Sequence, residues 1–518
     1  MGSFIQGQMS KVIGMVSGWD RLRFRGTVRM LANVAGLRRF LGHIGRGLLK
    51  DFGGHAEELS RQTREHSLEV AQGAGRRVVH LSNPGVCKEN LAREIQKRDG
   101  IKEGLICVLT AVEPCWSFNI KSNKAAGKLE LVRAYRKCQH LYHYYQHPEL
   151  GFMHVRLQTW LPFHVFACVN GREYLGKQMD RAGIGYVRRE NCFAWISDVP
   201  KAQALLDQQV SFNWQEALGE LAERVNPAFA SIRGDCRMGY YWSLEESEWA
   251  SDIMFKDQGE LSRLYERLIR HGMEALGSSD VLRFLGHKLR ADGSVHGNFS
   301  GEVTSDLRRR VEGIRIKHRV GKNSVKMYNK QGTVLRVETT LNNMRDFRSR
   351  RMKEGKVVWQ RMRKGVSDMA RRAEVSQAAN ERYLAAMAAV DNPLPLKALT
   401  ESLAKPVVRD GRRARGLNLL GQDDARLLKV VGDGKFLLNG FRNKDLQEML
   451  LDSPPNDPAV RRRRSGQITR KLWLLRAHGI IRKVSGTHRY LVTDKGRQII
   501  TALQAAREAD VTKLAQAA

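Results

Sequence analysis

The chain has 518 residues, 42% of them hydrophobic, and its 88 lysines and arginines stand against 54 aspartates and glutamates, a formal charge of +34. That length predicts two to four domains rather than one core, and that apolar content excludes a disordered or fibrous chain. So much like charge repels itself unless a polyanion neutralises it, which points to DNA or RNA as partner, and without a run of about 18 apolar residues a membrane span is not expected.

Glycine, serine and glutamine interrupt the first apolar residues before a secretory core can form, so a cytoplasmic location is expected. The cysteines at 87, 107, 115, 138, 168, 192 and 236 lack CxxC spacing, which indicates neither a disulfide framework nor a zinc ribbon. From residue 12 to about 208, short apolar runs such as LICVLTAV and HVFACVN alternate with helical stretches and read as buried strands, giving an N-terminal α/β domain over 1–212. Within it, GFMHVRLQTWLPFHVFACVNG predicts a hairpin with Pro162 at the turn or on an edge.

Residues 213–344 read as a central domain, helical at first, with Leu261, Leu264, Leu268 and Ile269 on one side of a helix. An antiparallel meander follows from Gly313 to Leu341, as GIRIKHRV, VKMYNK and VLRVETTL. Residues 345–395, opening RDFRSRRMKEGKVVWQRMRKG, predict a basic helical arm broken at Asp391, Asn392, Pro393 and Pro395. A linker over 396–421 and a last domain over 422–518 complete a multidomain α+β chain.

The last domain predicts a helix near 423–431 and a second starting at Asn443 as N-cap. A third, in RRRRSGQITRKLWLLRAHGII, carries Ile468, Leu472 and Leu475 on one stripe and ends at Gly479. IIRKV and HRYLVT, joined by SGT, then form a hairpin, and KGRQIITAL resumes as helix. The segment LWLLRAHGIIRKVSGTHRYLVTDKGRQII resembles the recognition helix, wing and following helix of MarR-like winged-helix regulators, a match over roughly a fifth of the chain. The resemblance implies a helix in the major groove and a wing on flanking phosphates, with Arg461, Arg462, Arg463, Arg464, Arg470, Lys471, Arg482, Lys483, His488 and Arg489 making the contacts. An ordinary solvated face, or a protein partner, is the competing reading of those charges. With Gln467 the one amide near the helix start, the module is expected to grip more than it reads, and structured RNA stays open beside DNA.

Chemistry is most strongly suggested by SVKMYNKQGTVLRVETTLNN. A strand there places Arg336 and Glu338 on one face, and the preceding strand alternates Lys326, Tyr328 and Lys330, so a hairpin gathers a phenol, cations and a carboxylate. The segment resembles the YDKG and RIE strands of plasmid rolling-circle replication initiators, which implies Glu338 as a ligand for a divalent metal beside a catalytic tyrosine. In that family the nucleophile lies upstream, where this chain has Phe299 in HGNFSGEVTSDL. Glu248 with Asp252, and Glu302 with Asp306, each four apart, are expected to share a helix face, either joining a Mg²⁺ site or pairing with arginines.

Asp20 and Glu113, beside apolar runs, read as structural acids. KCQHLYHYYQH offers Cys138, His140, His143 and His147 to zinc, but its spacing and tyrosines favour a buried aromatic helix. His154, Arg156 and Trp160 suggest a stacking or phosphate surface. No phosphate-cradling GxxxxGK[ST] or GxGxxG in strand-to-helix context and no GxSxG occur, so neither an ATPase nor an esterase is expected. The expected function is nucleic-acid binding of mobile-element or replication type, with a Mg²⁺-dependent nuclease or strand transferase as the alternative.

Overall fold

The computed structural model describes residues 3–43, 48–83, 85–226, 229, 239–287, 289, 301–310, 313–330, 332–390, 396–419, 421–436, 440–451 and 457–508. The chain divides into two compact units, each discontinuous in sequence. A sheet unit comprises residues 14–254 and 338–377, and a terminal unit comprises 1–13, 255–337 and 378–518.

The sheet unit is built on long strands: β1 (Val12–Val28, all but its first two residues), β2 (Arg77–Leu81), β3 (Gly104–Asn123), β4 (Lys128–His147), β5 (Gly151–Gln158) and β6 (Val165–Asn170). A small hairpin of β7 (Tyr186–Arg189) and β8 (Cys192–Ile196) follows, then β9 (Tyr240–Phe255). Neighbours run β9–β1–β6–β5–β4–β3–β2. β3 through β6 pair antiparallel as hairpins, whereas β2 and β3 pair parallel, because α2 (Lys88–Arg98) supplies the crossover a parallel pair needs.

Period-two burial fixes the faces. On β1, Leu22 and Phe24 are buried while Arg21 and Arg23 are exposed. The apolar side packs under α1 (Phe52–Gly73) and α4 (Trp214–Val225): His143 meets Ser67 at 3.0 Å, and the Phe24 and Trp214 rings lie 4.8 Å apart. The opposite side is polar. Arg23 stands opposite Cys168, which stands opposite His154, and Arg25 is opposite Phe166, which is opposite Arg156.

In the terminal unit, β10 (Val303–Arg310), β11 (Gly313–Val320) and β12 (Asn323–Lys330) form an antiparallel meander, with α5 (Gln258–Glu274) donating the Tyr265 hydroxyl to the Ile314 and Met327 carbonyls. β13 (Val334–Leu341) follows, and the division between units falls inside it, after Val337.

In the sheet unit beyond β13, β14 (Arg348–Lys353) and β15 (Lys356–Arg361) form a two-stranded ribbon, and α6 (Met369–Met387) begins. The terminal unit then carries the short pair β16 (Val407–Arg409) and β17 (Arg412–Ala414). Its last part runs α7 (Gln422–Val431), α8 (Asn443–Leu450), α9 (Pro458–Ala477), β18 (Ile481–Lys483), β19 (Tyr490–Val492) and α10 (Asp494–Glu508). Leu427, Leu446, Ile468, Leu472, Leu475 and Ile499 share its core. Gly479, at φ 72°, ends α9 in the left-handed turn that a glycine makes without strain.

Several expected elements change type. ESEWASDIMF, read as helix, is β9: its acids at i and i+4 share a strand face as readily as a helix face, and pairing between distant segments decides. KCQHLYHYYQH is the end of β4, not a helix, as its run of tyrosines favours. Asp306 lies on β10 and pairs with Arg308, not on a helix with Glu302. The start of the basic helical arm is the β14–β15 ribbon, and helix begins only at Met369. There Glu354 and Gly355 take φ of 51° and 72°, the two-residue turn that closes a hairpin. Asn443 is the first residue of α8 rather than its cap, which is Arg442. Phe299 and the break at 391–395 lie outside the described residues. Among the described residues, no helix is long and apolar enough to cross a membrane.

Candidate metal centre and cationic cleft

In the sheet unit, β1, β9 and the end of β13 each contribute one acid to a single point. Asp20, Glu248 and Glu338 offer carboxylate oxygens that all lie within 4.8 Å of one another, and the side chains are buried, at 2%, 7% and 2% exposure. Two like charges at that separation repel by about 3.5 kcal/mol at an effective dielectric constant near 20. A buried cluster of three acids therefore needs positive charge or protons. Hard divalent cations take such oxygen sets, and Mg²⁺ is held through one or two carboxylates plus substrate oxygens.

Two buried arginines hold these strands in place. Arg172, fully buried, donates to Asp252 at 2.9 Å and to the Ala250 carbonyl at 3.0 Å, both on β9, and reaches the Trp19 carbonyl on β1 at 3.4 Å. It thus ties together the strands that carry Asp20 and Glu248, beside those residues. Arg372 donates to Leu244 on β9 at 2.7 Å and to the Leu341 carbonyl on β13, tying the strands of Glu248 and Glu338. Burial lowers its pKa to about 9, against the pull of Glu245 and Glu246.

Local sequence explains the first tie. Asn170 caps α3 (Gly171–Ala182) by accepting from the Arg172 and Glu173 amides, which starts the helix right after β6. Residue 171 must be glycine, because a Cβ there would stand 1.6 Å from the Trp19 carbonyl oxygen. A further bond joins β1 to β9, Ser17 to Ser251 at 2.6 Å, and the Trp249 indole donates to Gln377 on α6 at 2.8 Å.

A cationic cleft of about 690 Å³, lined by Arg21, Arg23, Arg93, Arg188, His154 and Asn191 together with Glu89 and Glu190, meets the buried acids through two of its lining residues. Asn191, in the β7–β8 turn, donates to Asp20 at 3.3 Å, and Arg21 lies 3.6 Å from Glu248. Burial opposes the Arg21 charge, but Glu248, Cys168, Asp20 and Glu338 outweigh it and its pKa rises. Glu173 fixes Arg93 at 3.0 Å and Arg188 at 3.1 Å on the wall. A second cleft of about 310 Å³ shares Arg23, His154 and Cys168 and adds Arg156 and Tyr142. Burial first, then Arg156, Arg23 and Lys88, push His154 down to about 3, so it is a neutral hydrogen-bonding group at neutral pH. The pairs of Arg23 with Glu246 and Arg25 with Glu245 are solvent-accessible, and such pairs contribute only about 0–1 kcal/mol, so exchanging a carboxylate for a phosphate costs little.

Of the acids expected at a metal, Glu338 and Glu248 meet. Asp252 does not join them: its carboxylate is engaged by Arg172 in a fully buried pair. Asp20, read from sequence as a structural acid, is the third member of the cluster. The signal present in GWDRLRFRG, cations at every second position, marks the strand and its charged face rather than Asp20, which stands out of phase with them. Arg172 left no comparable signal. Glu113 is a structural acid, held by Lys88 at 3.0 Å, Arg156 at 3.3 Å and the Tyr142 hydroxyl.

Cys138, His140, His143 and His147 do not converge: His143 turns to Ser67, His147 accepts from the Glu149 and Leu150 amides, and Cys138 meets Cys115. His154 and Arg156 line the clefts as a polar surface, and Trp160 has Arg136 over its ring at 4.7 Å.

The remaining candidates lie in the terminal unit. Tyr328 stands opposite Arg315, and Lys326 opposite Lys317. Arg336 is fully buried and Lys330 is 6% exposed, so neither presents its charge at the surface. Arg461, Arg462, Arg463, Arg470, Arg482, Lys483 and His488 are exposed, while Arg464, Lys471 and Arg489 are half-buried. Comparison with known proteins finds no family model, no curated protein and no solved structure that matches the chain.

Proposed function

We propose that this protein binds nucleic acid and carries out divalent-metal-dependent phosphodiester chemistry, as a nuclease or strand transferase. The observation that carries the reading is the convergence of Asp20, Glu248 and Glu338 beside a cleft walled by arginines. Asp20, Glu248 and Glu338 would hold a divalent cation, which would supply Lewis acidity for attack at a phosphate. The arginines position the phosphates, and the buried clamps keep the three acids in register with little reorganisation. Cutting or joining strands suits a mobile-element or replication-type protein.

The test is Mn²⁺ binding, followed by electron paramagnetic resonance, together with cleavage of labelled DNA and RNA in Mg²⁺, for wild type, Asp20→Asn and Glu338→Gln. We expect each variant to lose at least 100-fold in cleavage rate, a transition-state loss of about 2.7 kcal/mol or more, and to bind Mn²⁺ more weakly. Cleavage by Glu338→Gln at the wild-type rate would refute the reading.

A second reading is binding without chemistry. It is supported by the order of the last elements, three helices, a hairpin and a helix, with Arg461, Arg462 and Arg463 exposed on α9, as in a winged-helix module. Tight binding with no cleavage of any strand in Mg²⁺ or Mn²⁺ selects it.

A further inference from the structure

The β14–β15 ribbon belongs to the sheet unit but takes no part in the metal centre. Six of its twelve strand residues are arginine or lysine, and the one acid between 348 and 361 is Glu354 in the turn. Register separates its faces. Arg348 pairs with Arg361, Arg350 with Trp359 and Met352 with Val357, and all six of these residues are exposed. The opposite face is tied down: Asp368 accepts from Ser349 at 3.1 Å, from Arg351, and from the Arg363 amide at 2.7 Å. At the base, Phe347 and Met362 enter a small core with Leu341, Met344 and Val375, and the Met362 amide donates to the Phe347 carbonyl at 2.9 Å.

The free face is thus a firmly rooted surface on which three arginines flank exposed apolar side chains. Trp359 is 49% exposed, Met352 67% and Val357 62%. A core-seeking strand does not place them in solvent with arginines as neighbours. The Arg350 guanidinium lies 5.0 Å over the Trp359 ring, and Arg371 lies 5.6 Å from it, so two cations restrain the exposed indole. Met352 and Val357 form the last pair before the turn, so the ribbon has an apolar tip and a cationic stem.

We propose that this ribbon docks in a groove of B-form duplex DNA, its arginines on the phosphates of the groove walls and its Trp359, Met352 and Val357 face toward the bases. The major groove of B-DNA, about 12 Å wide, admits a two-stranded ribbon, and apolar side chains at a tip are used to wedge base steps. The deep, narrow major groove of A-form RNA does not admit one. Arg348 stands ten positions after Glu338, a span of at most about 35 Å, one helical repeat of B-DNA. A duplex held by the ribbon is therefore held within about one turn of the acids. The inference rests on the proposed nucleic-acid function and names its substrate as duplex DNA.

The experiment measures affinity for duplex DNA, duplex RNA and single-stranded DNA of one sequence over a salt series. It uses the full chain as wild type, as the triple variant Arg348→Ala, Arg350→Ala, Arg361→Ala, and as Trp359→Ala. Wild type is expected to prefer duplex DNA. The triple variant should bind it at least tenfold more weakly, with the log–log salt slope flattened by about 3, close to one per lost phosphate contact. Trp359→Ala should weaken duplex binding and leave the slope unchanged, since it removes no charge. Both variants should keep wild-type Mn²⁺ binding, and Glu338→Gln should keep the wild-type salt slope. Unchanged duplex affinity and slope in the triple variant overturn the ribbon assignment and leave the metal centre standing. Preference for duplex RNA or for single strands in the wild type overturns the B-form groove. Lost Mn²⁺ binding in Glu338→Gln with an intact ribbon effect keeps both.

Discussion

Three acids that repel one another sit where strand packing alone would prefer neutral groups, and this sets a sign for mutagenesis. A structural acid stabilises the fold, so removing it costs stability. A ligand kept for its charge does the reverse: without metal, Glu338→Gln relieves repulsion on Asp20 and Glu248, partly offset by lost attraction to Arg21, and should raise the unfolding free energy by roughly 1–2 kcal/mol. With saturating Mg²⁺ the order should invert, because the wild type gains binding free energy that the variant lacks. Denaturation of both proteins in chelator and in Mg²⁺ reads this directly, and a variant less stable than wild type in both buffers contradicts the ligand role. Asp252 marks the contrast. It lies four residues from Glu248 on the same strand, yet its carboxylate pairs with Arg172, which in turn reaches β1 and ties it to β9.

At the scale of elements, the site depends on one close approach, the start of α3 against β1. Gly171→Ala forces a methyl group into the Trp19 carbonyl, a backbone atom that cannot swing aside. We expect a destabilisation of several kcal/mol, in the range typical of backbone clashes in cores. The displaced segment of β1 carries Asp20 as its next residue, so Mn²⁺ affinity should fall as well, measurable at temperatures where the variant is still folded. Wild-type metal affinity in a folded Gly171→Ala protein would separate the clamp from the site.

The sequence made some of these elements legible and concealed others for physical reasons. The β5–β6 hairpin, the meander over Gly313–Leu341 and the last helices carried strong local signals: alternation, turn residues and a glycine stop. β9 and the β14–β15 ribbon did not. In β9 the acids at i and i+4 fit both periods, and in the ribbon the arginines masked alternation while the Glu354–Gly355 turn was read through. Glu338 was visible because its own strand was. Asp20 joins the cluster only through two strands more than two hundred residues away in the chain, a distance no local pattern spans.

For the whole molecule, buried neutral histidines set the response to acid. Burial lowers the pKa of His140, His143 and His318 to about 4, whereas an unfolded chain titrates them near 6.5. Below about 6.5 the unfolded state takes up protons that the folded state refuses, so their contribution is complete above that pH and is lost as pH falls toward 4. Each histidine removes about 1.4 kcal/mol per pH unit inside the window. Urea midpoints at pH 7.5, 6.0 and 5.0 should therefore fall in steps, and a flat profile to pH 5 would show these side chains reaching solvent in the native state.

The interleaving of the two units also sets when the three acids can come together during synthesis. Asp20 and Glu248 leave the ribosome before Glu338, and at about 5–20 residues per second the last 338 − 248 = 90 positions take about 5–18 s to make. Throughout that interval the nascent chain carries the arginines of the cleft but lacks one of the three acids, and the Arg372 clamp comes later still. On the proposed function, a truncated or stalled product would bind without chemistry, and the centre is complete only on a chain that has passed residue 377.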